Sequence, residues 1–149
     1  MYPGRLSVSR TIGDIEAKDE RYGGNRKVVI SDPEIRCFRI KENFDYIVVG
    51  CDGIFEKLSN ADVMNKIWDS ALKPEDLKTP LSVHARCGLS VDTVLNESVE
   101  QKTLDNITVV IIGFQSFENM IDRARSTGTK TSMIRERKEV YEEEELQWD

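Results

Sequence analysis

Two stretches of the chain are apolar almost without interruption: DYIVVG at residues 45–50 and ITVVII at 107–112. Both are rich in β-branched residues and too short for a buried helix, so they predict strands covered on both faces. The first ends at Cys51-Asp52-Gly53, where glycine permits a tight turn. Between them the period changes. Behind Asn60, which reads as an N-cap, Val63, Met64, Ile67 and Ala71 recur at helical spacing. Pro74 and Pro80 mark a loop, and residues 83–100 predict a second helix with Val91, Val94, Leu95 and Val99 on one face. Upstream, Leu6–Ser9 alternates weakly, Lys27–Ile30 is strand-like, and Ile35, Phe38 and Ile40 predict a further strand after the Asp32-Pro33 turn. Strands with amphipathic helices against them give an α+β fold class, a sheet covered by helices.

The texture changes near residue 116. Residues 1–116 hold 15 basic and 18 acidic side chains, and residues 117–149 hold 6 and 9, the same net −3 in 33 residues. The apolar residues beyond 116, among them Met120, Ile121, Met133, Ile134 and Trp148, are too sparse for a core of their own. The sequence therefore divides into a domain at 1–116 and a flexible, charged C-terminal tail at 117–149, with one marginal helix near 132–147 and an acidic block at Glu142–Glu145.

Composition narrows the chemistry. A chain of 149 residues is the size of one domain. A net charge of −6 excludes a basic nucleic-acid-coating protein. No apolar run reaches the roughly 20 residues that span a bilayer, and MYPGRLSVSR lacks the apolar core of a secretory signal. Cys37, Cys51 and Cys87 are odd in number and contain no CxxC pair, which points to reduced thiols in an intracellular protein, cytoplasmic or nuclear. His84 is the single histidine, so a metal would be held mainly by carboxylates, which favours Mg²⁺ or Mn²⁺ over zinc.

Asp52 and Asp105 are the informative carboxylates, one at the exit of the first apolar strand and one at the entrance of the second. If those strands are antiparallel neighbours, both fall at one edge of the sheet. A divalent cation would then relieve their repulsion. Spacing alone equally allows turn aspartates satisfied by backbone N–H groups, since Asp-Gly and Asp-Asn are common turn pairs.

Four blocks occur in order: GRLSVSRTIGD (4–14), VVISDPEI (28–35), DYIVVGCDGIFEKLSNADV (45–63) and LDNITVVII (104–112). Together they resemble the C-terminal half of the metal-dependent protein serine/threonine phosphatases of type 2C, over about 110 of the 149 residues. The resemblance implies part of an antiparallel β-sandwich flanked by helices, with a two-metal centre of Mg²⁺ or Mn²⁺ at one edge. It implies that Asp52 and Asp105 are ligands of the same ion, with no catalytic side chain beyond the metal ligands. Gly53 and Asn106 would support the ligand loops, and Arg10, Gly13 and Asp14, which match the family's SR-x-hydrophobic-GD motif, would shape a loop behind them. Phe55 stands where tryptophan is usual and Glu56 where aspartate is commoner.

The departure is in the first half of the family's pattern. Its phosphate-gripping arginine, Glu-Asp ligand pair and DGHGG block have no counterpart here. The expectation is thus a phosphatase portion acting on phosphoserine and phosphothreonine in phosphoproteins, with this chain inactive alone. The alternative is a non-catalytic interaction module on the same scaffold, with a protein partner at the tail and neither nucleic acid nor membrane. Other residues have plain expectations: His84 a surface or cap histidine, Cys51 a buried small hydrophobe, and the Arg21/Arg26/Lys27 loop solvated.

Overall fold

The computed structural model describes residues 8–73 and 81–127. The chain divides between Arg39 and Ile40 into two compact units, well before the division that composition suggests at residue 116.

In the N-terminal unit, the backbone is ordered by turns more than by strands. A single parallel bridge joins Arg10 to Ile30, with the Thr11 amide donating to the Ile30 carbonyl at 2.9 Å. Gly13 (φ 77°) and Asp14 (φ 52°) take the left-handed conformation that starts the short helix α1, Ile15–Lys18. A 3₁₀ turn, Glu20–Tyr22, follows. Gly24 packs on the backbone of that helix, where an added Cβ would come within 2.5 Å of the Glu16 carbonyl oxygen. The expected strands at 27–30 and 35–40 do not form as such. Residues 31–40 have no regular structure and are exposed, Ile35 at 79% and Phe38 at 53%. Local β propensity is a statement about fitting a half-buried pleated surface, and among the described residues no neighbouring strand supplies one here.

In the second unit, β1 (Tyr46–Gly50) and β2 (Val109–Gly113) pair antiparallel, in the register Tyr46↔Gly113 to Gly50↔Val109. Directly opposite residues share a face. Val48, Ile111 and Val109 turn toward the helices. Val49, Val110 and Ile112 lie on the other face, about half exposed. The strands are therefore covered on one face by the described residues, and a second sheet layer of a sandwich is not among them.

A short helix α2, Asp52–Phe55, leaves β1 directly. Then comes α3, Asn60–Ala71, and its N-cap is Ser59 rather than Asn60. Ser59 Oγ accepts from the Asp62 amide at 3.2 Å while the Ser59 amide donates to the Asp62 carboxylate at 3.0 Å, a capping box written as S-x-x-D. The Ser59 hydroxyl, donating to the Asp62 carboxylate at 2.6 Å, and then the Ser59 amide hold that carboxyl below its ordinary range.

Helix α4 spans Val83–Glu100, the range expected, with Val94 in the core and Val91 and Leu95 packed against it as the pattern implies. Arg86, Ser90, Val94 and Ser98, spaced by four, form the buried stripe, while Val99 is 60% exposed. The small serines let α3 and α4 approach closely, and each hydroxyl is satisfied. Ser70 and Ser90 share a hydrogen bond of 2.9 Å, and Ser98 donates to the Val94 carbonyl at 3.0 Å. Arg86 donates to the Ala71 carbonyl at 2.8 Å, closing the end of α3. Lys66 and Glu97 make an ion pair between the same two helices.

The last described helix, α5, is Gln115–Thr127. Phe117, Met120, Ile121 and Ala124 are buried on it. The start of the expected tail is thus an amphipathic helix in the core, and the remainder, including the expected helix at 132–147, lies outside the described residues. Phe117 meets Tyr46 of β1 and Trp68 of α3 with ring centroids 5.4 and 5.1 Å apart, which ties α5, the sheet and α3 together. The buried Asp45 accepts from Ser116 Oγ at 2.7 Å, and its carbonyl accepts from the Phe114 amide at 2.8 Å.

Candidate metal centre

The antiparallel pairing puts the exit of β1 beside the entrance of β2. Past the last register pair, the Cys51 amide donates to the Thr108 carbonyl at 3.1 Å, so the ladder extends to the residue before Asp52. Asp52 then opens α2, and Asp105 lies in the loop that leads into β2. A Cβ on Gly53 would lie 2.3 Å from the Asn106 carbonyl oxygen and 3.3 Å from Ile107 Cγ2. Only glycine allows that approach, and it brings together the residues that immediately follow the two aspartates.

Both carboxylates are on exposed residues. Asp52 Oδ1 accepts from the Gly53 amide at 2.9 Å, and Asp105 Oδ1 accepts from the Asn106 amide at 2.7 Å. These are the bonds of turn aspartates, and they fix each side chain against its own backbone. They engage one oxygen of each carboxylate, leaving the second available to a ligand.

Donor chemistry suits a hard cation: two oxygen ligands, with no soft donor required. Donor number does not complete a shell. Among the described residues, no three His, Cys, Asp or Glu side chains gather as a metal-holding group. Asp52 and Asp105 stand as two carboxylates on adjoining loops.

Arg10, Gly13 and Asp14 are in the N-terminal unit. Arg10 pairs with Glu34 at 2.8 Å, and the Asp14 carbonyl accepts from the Ala17 amide at 3.2 Å. Each shapes its own loop there. In the same unit, Arg21 forks onto Asp19, which keeps that carboxyl below its ordinary range.

His84 is exposed near the start of α4. All three cysteines are free. Burial pushes the Cys87 thiol up, which disfavours a nucleophilic thiolate. Cys51 packs against the core, as expected of a small hydrophobe, but does more. It is half-buried, and its thiol is engaged with the Asn106 carbonyl at 3.1 Å and the Thr108 amide at 3.2 Å. Sequence alone offered no sign of this, because the partners are backbone groups 55 and 57 residues away. No described helix is long and apolar enough to cross a membrane.

Comparison with known proteins bears out the type 2C resemblance at the level of the family. The family model for protein phosphatase 2C matches residues 3–94. The chain belongs to the protein phosphatase 2C family. It is 34% identical over 113 residues to protein phosphatase ppm-1.A of Caenorhabditis elegans, covering 74% of this chain and 22% of that protein. It is 33% identical over 115 residues to putative protein phosphatase 2C 50 of Arabidopsis thaliana, 76% of this chain and 25% of that protein. Probable protein phosphatase 2C 6 of Paramecium tetraurelia is 26% identical over 113 residues, 75% of this chain and 37% of that protein. The chain therefore spans well under half the length of these relatives. No solved structure gives a significant match. Asp52 and Gly53 fall inside the span the family model matches, whereas Asp105 and Asn106 fall beyond it and are joined to the first pair by the close Gly53–Asn106 contact.

Proposed function

We propose that this chain is the C-terminal part of a metal-dependent protein serine/threonine phosphatase, in which Asp52 and Asp105 bind one Mg²⁺ or Mn²⁺ ion of a two-metal centre. The observation that carries the reading is the closure of the two ligand loops on each other, with the Asn106 carbonyl seated against Gly53. When bound, such ions lower the pKa of a water that attacks phosphorus and neutralise the charge that develops there.

The residues of this chain do the holding. The β1–β2 ladder fixes the two strand ends, and the Gly53 and Asn106 amides orient the carboxylates. Arg10, Gly13 and Asp14 join the reading through their motif, as loop-shaping residues. Phosphorylated proteins are the substrates on this reading, and the location is intracellular. Two carboxylates make a partial shell, so the 149-residue chain alone binds metal weakly and does not turn over phosphopeptides.

The test is a Mn²⁺ titration of the purified chain, followed by electron paramagnetic resonance, with D52N and D105N beside the wild type. Each substitution is expected to weaken binding about tenfold or more, since one of two anionic ligands is lost. Wild-type affinity in the double variant would remove the metal assignment. Vigorous Mn²⁺-dependent phosphopeptide hydrolysis by the chain alone would remove the requirement for further ligands.

A further inference from the structure

We propose that Cys51 is a positioning residue whose thiol clasps the Asp105 loop to the strand exit that carries Asp52, setting the spacing of the two carboxylates. The inference rests on the metal-binding reading above and adds a residue to it.

Three contacts converge at Cys51. Its amide donates to the Thr108 carbonyl at 3.1 Å, its Sγ accepts from the Thr108 amide at 3.2 Å, and its thiol donates to the Asn106 carbonyl at 3.1 Å. The Asn106 carbonyl is also the atom pressed against Gly53. It is therefore held between a side chain on one side of Asp52 and a backbone on the other. Asn106 follows Asp105 directly, and its amide is the donor that orients the Asp105 carboxylate. A movement of the Asn106 peptide displaces that carboxylate relative to Asp52.

Sulfur suits the position. A thiol is a weak donor and a weak acceptor, so neither bond contributes much to stability by itself. What it supplies is reach: a long C–S bond lets one atom serve both an amide and a carbonyl in a space only half closed from solvent. Serine keeps both hydrogen-bonding functions on a shorter arm. Valine stays apolar, with one heavy atom more, and loses both, while alanine loses both at a smaller volume. A merely packing role for Cys51 makes valine harmless. A positioning role makes serine the better substitute, although it is the more polar.

The experiment compares C51V, C51S, D52N and the wild-type chain in Mn²⁺ titrations, with thermal unfolding and amide hydrogen exchange at Thr108 measured on the same samples. Expected is a loss of Mn²⁺ affinity of roughly tenfold in C51V, as for other residues that orient metal ligands. Faster exchange at Thr108, a nearly unchanged melting temperature, and recovery of most of the affinity in C51S complete the expectation. If C51V does not fold, C51A carries the same comparison. Wild-type affinity in C51V or C51A, with D52N weakened, overturns the positioning role and leaves the metal reading standing. Equal affinity in D52N and the wild type, or no binding by the wild type at millimolar Mn²⁺, overturns the metal reading and the positioning role with it.

Discussion

Gly53→Ala is the sharpest perturbation of the candidate centre, because two opposing effects of known size meet there. Gly53 is the second residue of α2 and has no left-handed φ, so alanine suits its backbone. On helix propensity alone the substitution would stabilise by about 1 kcal/mol. Against that stands the Asn106 carbonyl. The methyl would sit 2.3 Å from its oxygen, and real contacts of this kind open to at least 3.0 Å, so the two loops must part by about 0.7 Å. The obstacle is backbone, not a flexible side-chain tip. Overpacking of this kind costs about 1–3 kcal/mol. The clash therefore wins, with a net destabilisation of roughly 1 kcal/mol. That corresponds to about 2–4 °C in melting temperature for a chain near 150 residues. The same movement exceeds the roughly 0.5 Å tolerance of a preorganised site. Mn²⁺ affinity should accordingly fall about tenfold. The assay is thermal unfolding by circular dichroism with a Mn²⁺ titration on the same protein. A Gly53→Ala chain that melts at or above the wild-type temperature and binds Mn²⁺ equally well would refute the claim that the loops are closed on each other.

Gly88→Ala supplies the contrast. It lies in α4 with nothing within 4 Å of an added Cβ, so the same change should stabilise by roughly 0.5–1 kcal/mol and raise the melting temperature. Ser116→Ala removes a donor from the buried Asp45 carboxyl and should cost roughly 1–3 kcal/mol, read by denaturant unfolding. Lys66→Gln tests the link between α3 and α4. The Lys66 ammonium, followed by the Gln101 amide, holds the Glu97 carboxyl below its ordinary range. A depressed carboxyl stabilises above its unfolded pKa of about 4.3 and loses that contribution as pH falls through the lower folded value. The wild type should therefore melt above Lys66→Gln at neutral pH, and the gap should close as the solution is acidified below about pH 4.

The two strands and the helices α3 and α4 of the second unit are legible because their periodicity is strong. β1 falls within the first apolar run, β2 overlaps the second and ends one residue beyond it, and α4 has the range its pattern predicts. The errors are equally physical. α3 starts after Ser59 because the S-x-x-D capping box satisfies two backbone groups at once, which outweighs an asparagine one position later. The buried stripe of α4 is Arg86, Ser90, Val94 and Ser98, which looks polar until α3 supplies Ser70 and the Ala71 carbonyl as partners. The start of the C-terminal stretch read as a tail because Phe117, Met120, Ile121 and Ala124 cannot make a core alone, yet they complete one built by Tyr46 and Trp68.

By itself the sequence determined β1, β2, α3 and α4 of this second unit, the type 2C motifs, and the two aspartates flanking its strands. Each of those is a local property, written in spacing and residue type. The tertiary structure decided which face of each element is buried, where the unit begins, and that the Asn106 carbonyl sits between Cys51 and Gly53. Those outcomes depend on groups 15 to 57 residues apart coming within a few ångströms, and no local pattern carries the information for such contacts.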